Sequence, residues 1–409
     1  MSINIKYATN NFLEKSSELL TIALAFFIPL STSIAGILLP LAAVCGLFTQ
    51  RFHNTLALLL RTPWIKTALF LFVLFGIAIS YSSAPFSDAL HTLVKYSRLL
   101  LMVLLIPSFS NRLCRKYAIL GFLTAITITL ILSYLQFFGV PHLPHQYGQA
   151  AIFKDRIQTN FLMAFSFYLF FQIFIDLMLS KAHRPLKYFR LRQVVLLTLC
   201  MLTLSNILFL SDGRSGYIIF SLLVLLLGWQ KIKWRGILSA SIFLTLTLSI
   251  AFILSDNFHD RMLLVNQDIK SYQQGNSKTS VGLRLAFIKN SAKLIAKHPL
   301  VGTGTGSYAI NPHNEYLNIG VQLGLPATFI LLLLFYLQWR DSERLPTQYK
   351  EIAQAVILAI GIGCLGNSWL MDTTEGHFYA MFMALCFAAH PRYYFTSKLK
   401  FLKSANDPY

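Results

Sequence analysis

The chain has 409 residues, 55% of them hydrophobic and only 12% charged, about half the charged share of a soluble domain. A mean hydropathy of +0.58 excludes a water-facing globule, and apolar runs much longer than the roughly ten residues of a barrel strand leave helices as the only elements that satisfy their backbones in lipid. The formal charge of +19 does not point to nucleic acid, because Lys and Arg fall in short connections between apolar runs, as the positive-inside rule places them.

Spanning runs are predicted at about 16–30, 33–49, 65–81, 88–107, 117–137, 158–179, 194–211, 215–229, 236–254, 315–338, 352–370 and 377–391, an all-α polytopic membrane protein with about twelve transmembrane helices. Lys6 and Lys15 ahead of the first run imitate a signal peptide. The apolar stretch continues past Ser31-Thr32-Ser33, however, and reads as an uncleaved helix pair. Basic residues gather in alternate connections: Arg51, Arg61 and Lys66; Arg112, Arg115 and Lys116; Lys181 to Arg192; Lys231, Lys233 and Arg235; Arg340, Arg344 and Lys350; then the tail from Arg392. That alternation predicts cytoplasmic termini at both ends. Cys45, Cys114, Cys200, Cys364 and Cys386 all avoid the opposite loops, so no disulfide is expected.

The expected organisation is one integral membrane domain over 1–409, with non-cytoplasmic loops at about 138–157 and 255–314. Within the second loop, 281–298 predicts an amphipathic helix on the membrane surface. Leu285, Ile288, Ala292 and Ile295 form its apolar face, and Lys289, Lys293 and Lys297 its polar one.

Topology sends scattered ionisable groups to one membrane level: Arg156 in KDRIQTN, Arg214 in SDGRSGY, Arg284, His313 in PHNEY, and Asp372 with Glu375 in MDTTEGH. Guanidinium forks bind phosphate oxygens bidentately, and three of them suit a diphosphate. An imidazole can take a proton from a hydroxyl, and a carboxylate can orient that imidazole or hold a sugar. Each arginine alone also fits a headgroup anchor. In the fourth run, Asp88, His91, Lys95 and Arg98 share one helix face, and two readings stay open: a phosphate-lipid path, or an ion pair of Asp88 with Lys95 or His91. VGTGTGSY lacks the Gly-Lys-Ser/Thr ending of a phosphate loop and reads as a flexible loop with amides for phosphate, or as a plain turn. Neither Cys/His metal spacing nor an Asp-x-Asp pair occurs, so no cofactor or metal site is expected.

The stretch RLAFIKNSAKLIAKHPLVGTGTGSYAINPHNEYLNIGVQLGLPA resembles the large periplasmic loop of bacterial O-antigen ligases, and SDGRSGY resembles the family's second signature. The resemblance implies a membrane-embedded glycosyltransferase fold with one large periplasmic loop. It implies transfer of a glycan from undecaprenyl diphosphate to a sugar of the lipid A core, at the inner membrane, without nucleotide or metal. Carried over, Arg214 and Arg284 hold the diphosphate, His313 is the base, and Asp372 and Arg156 fall on family positions. Asn314 and Tyr316 of the loop motif, with Lys95 and Arg98, complete the expected substrate contacts. O-antigen polymerases and protein O-oligosaccharyltransferases share this pattern, so a polymerase remains an alternative. A transporter of anionic lipid is the alternative from another class.

Overall fold

The computed structural model describes residues 2–140, 151–179, 186–211, 213–255, 258–260, 263–264, 274, 279–308 and 312–392. All regular elements among them are helical. The chain forms two compact units interleaved in sequence, one holding Met1–Ile28, Thr32–Gly121 and Arg284–Tyr409, the other Pro29–Ser31 and Phe122–Leu283.

The second unit is built on the later part of α7 (Arg112–Phe137), with α8 (Arg156–Leu179), α9 (Leu186–Ser205) and α10 (Arg214–Leu254). A π turn, Asn206–Leu210, ends the α9 run; Asn206 donates to Ser133 Oγ at 2.7 Å. Inside α10 the chain breaks at Ile232 and Lys233, where Lys233 has φ 55°. A Cβ added to Gly236 would lie 1.9 Å from the carbonyl oxygen of Gly228. Residues eight apart in a straight helix are about 12 Å apart, so the chain reverses here. The expected runs 215–229 and 236–254 are therefore separate helices, and only two facing glycines let their backbones meet.

The first unit holds α1 (Ser2–Phe27), α2 (Thr32–Leu47), α3 (Gln50–Leu59), α4 (Pro63–Ile77), α5 (Phe86–Tyr96) and α6 (Arg98–Leu105). It continues with α11 (Ser280–Lys297, from Arg284 on), α12 (Glu315–Leu323), α13 (Leu325–Ser342), α14 (Thr347–Gly366) and α15 (Thr373–Phe387). α15 is apolar on nearly every side and is buried from Thr374 to Phe387, the position such a helix must take. Arg115 at the start of α7 is 1% exposed, with Nη1 on the carbonyls of Phe109 and Ser110 at 2.6 and 2.9 Å and its guanidinium 5.0 Å from the Tyr349 ring centroid.

By length and composition, six helices among the described residues can cross a membrane, or seven if the bent pair Thr32–Leu47 and Gln50–Leu59 makes one span. The chain is a polytopic helical membrane protein. Two expectations need correction. The run 315–338 is two helices, turned at Gly324 (φ 83°), and Thr328 Oγ1 of α13 reaches back to the Tyr316 carbonyl of α12 at 3.1 Å. α11 spans nearly the predicted residues, but its buried positions are Ser291 and Ile295, while Ile288 and Ala292 are exposed. Its buried residues are those that meet neighbours, Ile295 against Gly320 of α12 and Ser291 against Tyr308.

Candidate active site

α12 starts from an N-cap: Asn314 Oδ1 accepts from the Leu317 amide at 3.0 Å, closing one of the open donors of the first turn. The residue before it, His313, is exposed and has φ 50°, the left-handed region that L side chains rarely adopt. Its Nδ1 lies 2.9 Å from Asn367 Oδ1, just past the end of α14. Asn367 Nδ2 in turn donates to Asp372 Oδ2 at 2.9 Å, and Asp372 is the N-cap residue of α15. Asn314 Nδ2 donates to the Leu365 carbonyl at 3.1 Å and Tyr316 OH to the Gly361 carbonyl at 2.7 Å, so the first turn of α12 is tied to the end of α14. On the other side, the Phe287 ring of α11 sits 6.0 Å from the His313 ring. Arg284, half-buried, stands one turn earlier on that same face of α11.

The turn between α14 and α15 is fixed from below by Arg98. This side chain is 8% exposed, and its Nη1 donates to the carbonyls of Leu370, Met371 and Asp372 at 3.1, 2.8 and 2.8 Å. Arg98 was expected on a phosphate-lipid path or beside an ion pair; it instead holds the turn that carries Asp372. Asp88 and His91 are exposed and Lys95 is half-buried, and among the described residues no ion pair joins Asp88 to either.

Below His313 runs a buried polar network that the sequence reading did not single out. Tyr96 OH donates to Glu315 Oε1 at 2.5 Å, and the Leu370 amide donates to Glu315 Oε2 at 3.2 Å. Asn318 Nδ2 donates to Tyr96 OH at 3.0 Å, and Gln322 Nε2 to Asn318 Oδ1 at 2.9 Å. Glu315, Asn318 and Gln322 form a polar stripe on a helix of otherwise apolar and small residues, a spacing that could have revealed them.

The amides of the glycine stretch are taken up by acceptors within the protein. Thr303, Gly304, Thr305 and Gly306 donate to Val321 O, Gln322 O, Ala78 O and Gln322 Oε1 at 2.9, 2.9, 3.2 and 2.8 Å. Gly304 has φ 96°, and a Cβ there would lie 2.2 Å from Ser82 Cα. The glycines let the loop seat its backbone on the ends of α4, α5 and α12.

From the polar rim at Asn314 and Tyr316 an apolar groove of about 640 Å³ runs along α13 and α14, past Leu332, Phe335 and Ile357 to Trp339. Thr328 and Trp339, which line its two ends, are about three turns, roughly 16 Å, apart on α13.

In the second unit, Arg156 and Arg214 are the first residues of α8 and α10. Asn160, fully buried, donates from Nδ2 to the Gly213 carbonyl at 2.9 Å, and a Cβ on Gly213 would lie 2.8 Å from the Arg156 carbonyl oxygen. Two arginines far apart in sequence thus stand at paired helix N-termini, where the helix dipoles add to their positive field.

Residues 199–332 match the family model described as O-antigen ligase, a stretch that contains Arg214, Arg284, His313, Asn314 and Tyr316. No curated protein matches the chain. Both stretches that carry the motif resemblance, 211–217 and 284–327, lie inside this match.

Proposed function

We propose that this protein is an O-antigen ligase. It transfers a glycan from undecaprenyl diphosphate to a sugar hydroxyl of the lipid A core, on the periplasmic side of the inner membrane. The observation that carries this reading is His313: an exposed imidazole in a strained backbone, oriented by Asn367, at the polar end of an apolar groove of lipid dimensions. The acceptor oxygen attacks the anomeric carbon with inversion, and its proton passes to His313. The bond from that carbon to the diphosphate oxygen breaks, and the electron pair leaves with undecaprenyl diphosphate. Arg214 and Arg284 neutralise the departing charge, with Arg156 alongside Arg214; Asp372 acts through Asn367. No nucleotide or metal enters the reaction in this reading. Twelve spans with cytoplasmic termini complete it, counting α10 as two, α5 with α6 as one and α12 with α13 as one, with α3 and α11 left out.

The test is transfer by protein purified in detergent, supplied with a lipid-linked glycan and lipid A core. Glycan joined to the core is the expected product. Glycan–glycan products alone would make the protein a polymerase, and no product with intact substrates would end the enzyme reading.

A further inference from the structure

The Asn367 amide lies between two partners that together decide its orientation. The Asp372 carboxylate can only accept, so the atom 2.9 Å from its Oδ2 is the amide nitrogen. The amide oxygen therefore faces His313 Nδ1 at 2.9 Å, and an oxygen that can only accept requires an N–H there. The neutral ring then carries its proton on Nδ1 and its lone pair on Nε2.

We propose that Asn367 is a positioning residue for glycan transfer: anchored by Asp372, it holds His313 in the Nδ1–H tautomer, so that Nε2 is the nitrogen that receives the acceptor's proton. The role in transfer rests on the reading of His313 as base, while the tautomer assignment stands on the geometry alone. Two contacts and one backbone turn hold the relay in place. Arg98 grips the carbonyls on the Asp372 side, including that of Asp372 itself at 2.8 Å. The Asn314 bond to the Leu365 carbonyl ties the His313 segment to the end of α14, two residues before Asn367. The positive φ of His313 turns the chain sharply into the α12 cap.

The experiment uses the full chain in detergent, labelled with ¹⁵N-histidine and observed by long-range ¹H–¹⁵N correlation at alkaline pH. The His313 signals are assigned by their loss in His313→Ala. The wild type should show a protonated Nδ1. Asn367→Leu should move His313 to the Nε2–H tautomer and lower turnover by roughly a hundredfold or more, with KM for the lipid-linked glycan unchanged. In the exchanged pair Asn367→Asp with Asp372→Asn, the new carboxylate accepts from both neighbours, so Nδ1–H should return and turnover should recover. This pair separates positioning from simple damage to the turn. A protonated Nε2 in the wild type, an unchanged tautomer in Asn367→Leu, or no recovery in the exchanged pair would overturn the proposal. If the tautomer behaves as expected but His313→Ala transfers at the wild-type rate, the enzyme mechanism above falls, and with it the part of Asn367 in transfer.

Discussion

His313 holds a conformation that costs on the order of 1–3 kcal/mol in a non-glycine residue, so its neighbours over-determine it. Truncating the ring removes the proposed base but leaves the Asn314 cap, and His313→Ala should lower transfer by about 10²- to 10⁴-fold without lowering the melting temperature in detergent. A melting temperature that falls with activity would point to a structural role. Arg98 makes the opposite case. Arg98→Leu would leave three carbonyls without their donor and remove the charge that balances Asp372, Glu375 and Glu315. Destabilisation of roughly 3–5 kcal/mol is expected, read as low accumulation and a lowered melting temperature. PHNEY singled out His313, Asn314 and Tyr316 in the sequence, and the fold ties Asn314 and Tyr316 to the end of α14 and His313 to Asn367. The role of Arg98 was not legible, because its partners are backbone carbonyls more than 270 residues away, and a carbonyl has no signature in a sequence. Asn367 was hidden for a related reason: in CLGNSWLMD it reads as a turn residue, and only the fold brings it to an imidazole.

Among the elements, the glycine loop and the α12–α13 pair differ most from what periodicity predicts. Hydrophobic spacing records which face a residue takes but not the sign of φ. It therefore runs straight through Gly324, where the backbone turns α12 back on α13. For the same reason VGTGTGSY stayed open between a flexible loop with amides for phosphate and a plain turn. Gly304→Ala tests their packing role directly: the added carbon meets Ser82 Cα, a backbone atom with no rotamer to retreat into. A loss of at least about 1 kcal/mol in unfolding free energy is expected, with no specific change in KM. The groove makes a separate prediction. Gly361 has only Tyr316 OH and Phe335 near its missing Cβ, at 3.7 and 4.0 Å, so Gly361→Leu is tolerated by the fold but intrudes on the groove. KM for the lipid-linked glycan should rise about tenfold or more with kcat nearly kept, measured by varying the lipid-linked substrate.

At the scale of the whole molecule, long apolar runs and alternating basic connections made the polytopic helical plan legible early. The separation of 215–229 from 236–254 was legible too, and facing glycines at 228 and 236 give it a physical basis. The orientation has a direct test. In a background without the native cysteines, Trp234→Cys at the α10 reversal should react with a membrane-impermeant thiol reagent only from the cytoplasm, and Leu300→Cys only from the periplasm. Both positions are more than 70% exposed, so access is not limited by burial. Labelling of both from one side would break the twelve-span plan. The sequence could not show the interleaving of the two units, since contact between Thr32–Gly121 and Arg284–Tyr409 is a tertiary fact.

The groove beneath Asn314 has walls that include Ile288, Leu332 and Leu365, each more than 40% exposed, and in the proposed membrane placement this open side meets hydrocarbon. A hydrophobic chain can therefore enter sideways, by diffusion in the plane of the leaflet, and never needs to cross water. Under such two-dimensional capture, the quantity that sets the encounter rate is mole fraction among lipids. Diluting the substrate with inert detergent or phospholipid at constant bulk concentration should slow the protein as effectively as removing substrate.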